Sequence, residues 1–175
     1  MQRLILATVL SLFVGATAHA NSYTGGYFCI QKNNSEYCVD SQNKPLKGEF
    51  VLNSANGLIA IGKLRNGRWN GKVRFYNQKG QLVRISNFNR GRKSGREVVY
   101  YANGKPRTVA YYRNGNIEGS AEIRNINGET IGKFSYHKGT VRNGYCLMAN
   151  RQRRRITSQE KANTPKNTII TCGAS

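Results

Sequence analysis

The chain has 175 residues, with 28 Lys and Arg against 8 Asp and Glu, a formal charge of +20 and a mean hydropathy of -0.59. That balance points away from basic partners and toward anionic surfaces, anionic polymers or acidic proteins, and it says little about fold. After the first twenty residues no stretch has the run of about 20 apolar residues that a membrane-spanning helix needs.

Residues 1–20 read as a secretory signal peptide: a positive start (MQR), an apolar run (LILATVLSLFVG) and small residues at Ala18 and Ala20, with cleavage expected before Asn21. Loss of Arg3 leaves 27 bases against 8 acids, a net +19. The expected location is periplasmic or secreted, without a membrane anchor. Four cysteines, Cys29, Cys38, Cys146 and Cys172, all follow the leader. An even number in an oxidising compartment implies two disulfides.

Residues 21–47 form an N-terminal cap built on YFCIQKNNSEYCVD. A two-residue turn at Asn33-Asn34 sets Lys32 opposite Ser35, Gln31 opposite Glu36, Ile30 opposite Tyr37 and Cys29 opposite Cys38. Directly opposed strand residues come close enough for a disulfide. Cys146 then pairs with Cys172 by elimination. A four-cysteine zinc site is the rival, and the absence of any C-x-x-C weighs against it.

Residues 48–144 contain four copies of one unit, opening at Gly48, Gly71, Gly95 and Gly119. Nine residues on come Gly57, Gly80, Gly104 and Gly128, and a third set follows at Gly67, Gly91, Gly115 and Gly139. Asn-Gly between runs of β-formers is a hairpin signal, so each unit reads as two short strands and two turns, with Gly104 needing positive φ. Glycine this frequent leaves no room for a helix of ordinary length. Two and four places after each leading glycine stand Phe50 and Leu52, Val73 and Phe75, Glu97 and Val99, and Ala121 and Ile123; seven of these eight are apolar and predict one packed face. Leu64, Phe88, Tyr112 and Tyr136 form an apolar column on the second strands, while Lys63, Arg65, Arg74, Arg113, Arg124 and His137 suit a wet face.

The pattern G-x-x-x-x-Y-Y-x-N-G-K-(x)6-Y-x-N-G-x-x-x-G, clearest from Gly95 to Gly119, resembles the bacterial variant of the MORN repeat. The resemblance runs from Gly48 to about Gly144 and weakens in the fourth unit, where EIRNING lacks the double aromatic. It implies an all-β fold, an elongated antiparallel β-hairpin meander of MORN-type repeats, used for protein contacts and sometimes claimed for membrane lipids. It implies no reaction. Hairpins this small must stack to bury their apolar faces, so roughly a dozen strands about 4.8 Å apart make a ribbon on the order of 55 Å with disulfide-closed ends.

Residues 145–175 are a basic C-terminal cap, in which NTIITC reads as a returning strand and NRQRRRITSQEKANTPK as an exposed excursion. Two basic clusters are the anion-binding candidates: Arg90, Arg92, Lys93 and Arg96 at a turn between units, and Arg151, Arg153, Arg154 and Arg155 in the excursion. Either cluster can serve binding or only solubility.

Catalysis has little to work with. The mature chain holds one histidine, His137, and one aspartate, Asp40, and its glutamates are scattered singly. No paired-carboxylate, nucleophile or phosphate-loop motif is present, so no enzyme, no cofactor and no small-molecule substrate are expected. Two functions remain. One is a non-enzymatic scaffold or assembly factor of the bacterial envelope that binds a protein partner through the ribbon, a role that suits a surface machine such as a pilus. The other is a binder of polyanions (lipopolysaccharide, an anionic lipid surface or DNA) through the arginine clusters.

Overall fold

The computed structural model describes residues 26–32, 35–53 and 57–172. The signal peptide and its cleavage site, the Asn33-Asn34 turn and Asn56 lie outside the described residues. The described residues are all-β apart from one helical turn. Strands β1 (Tyr27–Lys32) and β2 (Ser35–Asp40) form a separate hairpin. The main sheet holds β3 (Gly48–Asn53), β4 (Ile59–Arg65), β5 (Arg68–Trp69), β6 (Gly71–Tyr76), β7 (Leu82–Asn89), β8 (Arg92–Lys93), β9 (Gly95–Tyr100), β10 (Pro106–Arg113), β11 (Asn116–Arg124), β12 (Thr130–His137), β13 (Thr140–Leu147) and β14 (Arg153–Arg155). It is an antiparallel meander of 12 strands in chain order, with β5 and β8 as short offshoots that pair back onto β4 and β7. Helix α1 (Ser158–Asn163) follows.

Two kinds of turn alternate along the meander. In the third glycine set both central residues have positive φ: Asn66 and Gly67 at 50° and 69°, Arg90 and Gly91 at 50° and 79°, Asn114 and Gly115 at 51° and 85°, Lys138 and Gly139 at 49° and 82°. These are type I′ turns, whose twist matches that of the flanking strands. In the middle set, among the described residues, only the glycine is left-handed, with Gly104 at 78°, and Gly104 donates to the Tyr101 carbonyl at 3.0 Å. That is a type I turn closed by a bulge. The leading glycines Gly71 and Gly95, at 88° and 89°, stand at breaks between offshoot and strand rather than at reversals.

The I′ turns are stitched to one another. Gly67, Gly91, Gly115 and Gly139 donate to the carbonyls of Leu46, Trp69, Lys93 and Ile117 at 2.8, 2.9, 2.8 and 2.9 Å, each roughly one repeat upstream. The repeat period is therefore written twice in hydrogen bonds, once in the strand ladder and once along this row of turns. Neighbouring units thereby satisfy backbone groups that one hairpin would leave to solvent.

The inner face alternates bulk with space. Reading across the strands, Phe50 faces Gly62, a Cβ on Gly62 would meet Val73 at 2.9 Å, and Val73 faces Ser86. Farther on, Ala110 faces Glu97 and Ala121, and Phe134 lies between Ala121 and Gly144. The apolar side chains form two separate cores. The first gathers Phe50, Leu52, Leu64, Trp69, Val73 and Phe75 under Cys38 of the N-terminal hairpin. The second gathers Ile117, Ile123, Phe134, Tyr136, Val141 and Cys146 under Ile169, Ile170 and Cys172.

Cys29 is bonded to Cys38 and Cys146 to Cys172, and the hairpin register is the one read from the sequence, Cys29 opposite Cys38 and Lys32 opposite Ser35. The hairpin does not extend the main sheet. It lies against the first two I′ turns, where Cys38 donates to the Gly67 carbonyl at 2.7 Å and Ser35 to the Gly91 carbonyl at 3.1 Å.

Two expectations for the C-terminal segment need correction. NTIITC is not a strand: residues 168–172 run without a ladder, because the neighbouring edge of β13 is already taken by β14. The Tyr136 hydroxyl holds the segment instead, donating to Thr168 and accepting from the Ile170 amide, both at 3.1 Å. The arginine-rich stretch is not a bare excursion either. Arg153–Arg155 is an edge strand, followed by a helical turn whose capping box joins Thr157 and Glu160. The second disulfide spans 26 residues, so Cys172→Ser is expected to lower unfolding stability by about 3 kcal/mol on the chain-entropy account. Denaturant unfolding of the oxidised protein and the variant measures this difference, and equal midpoints would refute a structural role for the bridge.

Candidate functional site

The structure separates the first basic cluster. Lys93 pairs with Phe88 across β7 and β8 and so shares the inner face, while Arg92 pairs with Asn89 on the outer one. The Lys93 ammonium reaches Glu97 at 2.6 Å and lies 4.7 Å from the centre of the Tyr112 ring. Arg90 occupies an I′ turn and Arg96 stands opposite Tyr111 on the outer face; Arg90, Arg92 and Arg96 are exposed.

The second cluster is held in β14 and the turn before it. Arg151 takes φ 63° in that turn. Arg153 lies over the Tyr145 ring at 4.7 Å, and Arg155 pairs with Tyr145. Arg154 grips Glu160 with two hydrogen bonds of 3.0 and 2.9 Å, and this fork holds the Glu160 carboxyl down at about 2. Charged side chains on a short edge strand also discourage pairing with another sheet, so part of what this cluster does is protect the end of the array.

Sequence reasoning missed a polar seam between the two cores. Glu97, the one non-apolar residue among the eight inner positions, is 6% exposed. It accepts from Ser86 Oγ at 2.5 Å and pairs with Lys93. Burial, and then the charge of Glu97, push the Tyr112 hydroxyl pKa up. Arg84 lies 3.9 Å from the centre of the Phe75 ring, and its Nε is buried without a hydrogen-bond partner among the described residues. Where Arg84, Lys93 and Glu97 stand, units one and two carry Ala60, Trp69 and Val73. The sequence signal was therefore available: three departures from the repeat, all within fourteen residues.

The outer face is not uniformly wet. Val51 faces Ile61, Ile61 faces Arg74, Arg74 faces Ile85, Ile85 faces Val98, and Val98 faces Val109. Five apolar side chains thus cross six neighbouring strands in one row, interrupted only by Arg74. Val98 and Val109 are buried among their neighbours, Val51 is exposed, and Tyr111 is 44% exposed beside the row. Lys133 and Arg155 continue the same row beyond Glu122. Both caps pack on the inner face, so neither covers this stripe.

No helix among the described residues is long and apolar enough to cross a membrane. The two disulfides fit an extracellular or periplasmic setting. Neither a family model nor a curated protein matches the chain. Among solved structures, the crystal structure of accessory secretory protein 1,2 and 3 in Streptococcus pneumoniae is similar at a TM-score of 0.36 and 15% identity. The match covers 56% of this chain and 18% of that one, and a likeness this distant carries no argument about function.

Proposed function

We propose that the protein is an exported, non-enzymatic scaffold of the bacterial envelope, of the MORN-repeat type, which holds a protein partner on the outer face of its sheet. The carrying observation is the row Val51–Ile61–Ile85, which reaches solvent and runs on into the buried Val98 and Val109, with Arg74 within it and the exposed Arg96 and Tyr111 beside it. Apolar strips bordered by arginine and tyrosine are the composition in which interface energy concentrates. Charge complementarity selects an acidic partner surface. The polyanion reading keeps Arg90, Arg92, Arg96, Arg151, Arg153 and Arg155 as its support, since Lys93 and Arg154 are each paired with a glutamate.

Two variants divide the readings. In capture from the native envelope, Ile61→Ser/Ile85→Ser is expected to weaken partner binding by about tenfold or more, the scale of losing one or two interface anchors. Replacing Arg151, Arg153, Arg154 and Arg155 together by Ser is expected to change partner affinity by less than about threefold, because rim charges contribute little. The reverse pattern, with the serine variant losing the partner and its salt dependence, would transfer the function to the arginines.

A further inference from the structure

The row of I′ turns is the basic rim of the molecule, and its two halves are finished differently. At the first two turns the N-terminal hairpin closes over Gly67 and Gly91. At the fourth, Asn167 takes that place over Gly139: its amide donates to the Gly139 carbonyl at 2.8 Å, and its side-chain oxygen accepts from the Ile117 amide, just past the open third turn, at 3.0 Å. Beside this plug the third turn (Arg113, Asn114), the fourth turn (His137, Lys138) and Lys166 of the C-terminal segment line an open cleft of about 310 Å³, together with Asn116 and Glu118.

We propose that this cleft binds an anionic sugar unit. Its volume is at the low end of small-ligand clefts, suited to about one sugar ring, free or as one unit of a chain, rather than to a bare ion. Three cations, Arg113, Lys138 and Lys166, face one carboxylate, so the site favours an acid group, which a guanidinium can take with two hydrogen bonds. None of the lining residues is of an apolar type, which disfavours an acyl chain. The two asparagine amides and Glu118 offer the donors and acceptors that ring hydroxyls need.

The walls are already in position. Glu118 is held by the Lys138 amide at 2.8 Å and His137 Nδ1 at 2.9 Å, and these contacts keep its carboxyl ionised below the usual carboxylate range. Asn116 Oδ1 accepts from Asn167 Nδ2 at 3.2 Å, and the Cys146–Cys172 bridge ties down the segment that carries Lys166. A ligand therefore meets groups that need little ordering. The inference is independent of the partner on the outer face, because no residue is shared.

The test titrates the oxidised mature protein with glucuronate, following backbone amides by NMR, with glucose and acetate as controls. Saturable shifts centred on Arg113, Asn116, Lys138 and Lys166 are expected, with glucose and acetate at least about tenfold weaker. Arg113→Ala and Lys166→Ala, both exposed positions, should each weaken glucuronate by about tenfold, the scale of one charged hydrogen bond, while the variant with Arg151, Arg153, Arg154 and Arg155 all changed to Ser binds as the parent does. A glucuronate-type tetrasaccharide separates the sources: binding assigns a sugar-acid polymer, and refusal alongside glucuronate binding assigns a free sugar acid. Acetate binding as tightly as glucuronate, unchanged affinity in both alanine variants, or shifts centred on β14 would overturn the proposal.

Discussion

Gly67→Ala is expected to lower stability by about 3 kcal/mol or more, whereas Gly104→Ala should cost only about 1 kcal/mol. Both glycines have left-handed φ, 69° and 78°, so both substitutions incur backbone strain. The difference lies in what a methyl group meets. At Gly104 nothing stands within 4 Å, while at Gly67 the new carbon would sit 2.6 Å from the Cys38 carbonyl and 2.8 Å from the Tyr37 ring. The N-terminal hairpin would have to lift, giving up the Cys38 hydrogen bond to Gly67 and the cover over the first core. Equilibrium unfolding of the two variants side by side reads the gap. Equal losses would show that the hairpin is not seated on this turn.

Glu97→Ala should destabilise by about 2–4 kcal/mol, because it strips the partner from a partly buried ammonium and leaves the Ser86 hydroxyl without its acceptor. The repeat itself supplies the repair. Lys93→Ile/Glu97→Val/Ser86→Ala puts at these positions the residues of equivalent sites, Ile117, Val73 and Ala110, and would join the two cores into one. The triple variant is expected within about 1 kcal/mol of the parent or above it, since apolar replacement of a buried ion pair is often neutral or stabilising. A triple variant as weak as Glu97→Ala would mean that the seam holds the register of the sheet. Hydrogen exchange on the parent would then find the two halves opening together.

The β architecture was legible because glycine spacing and strand alternation agree: the middle and third glycine sets fall at turns, Gly71 and Gly95 at strand breaks, with Gly119 alone inside a strand, and the two-residue arithmetic from Asn33-Asn34 set the Cys29–Cys38 register. Which turn was of which type was not legible. Arg90 and Lys138 adopt the left-handed conformation that Asn66 and Asn114 adopt, because stacking against the turn before fixes the I′ geometry whatever the side chain. The C-terminal segment misled for a related reason. NTIITC has strand composition, but the strand slot beside β13 goes to the three arginines, and the arginine-rich stretch carries a capping signature, Thr157-x-x-Glu160, that marks a helical turn. Single repeat positions hid the rest: Lys93 reads as one base among four in sequence, and its inward turn follows only from its pairing with Phe88. The rim cleft joins residues some fifty positions apart and depends on Asn167 bridging to Asn116, which no local pattern announces.

Site-specific photo-crosslinking tests the scaffold proposal most directly. A photoreactive residue at position 85 would report from the apolar row of the outer face, and one at position 155 from the arginine edge. In the native envelope the account predicts one discrete adduct from position 85, with an acidic protein identifiable by mass spectrometry, persisting at raised salt and lost in the background of Ile61→Ser. It predicts no comparable adduct from position 155. Protein or polyanion adducts from position 155 alone, with none from position 85, would contradict it.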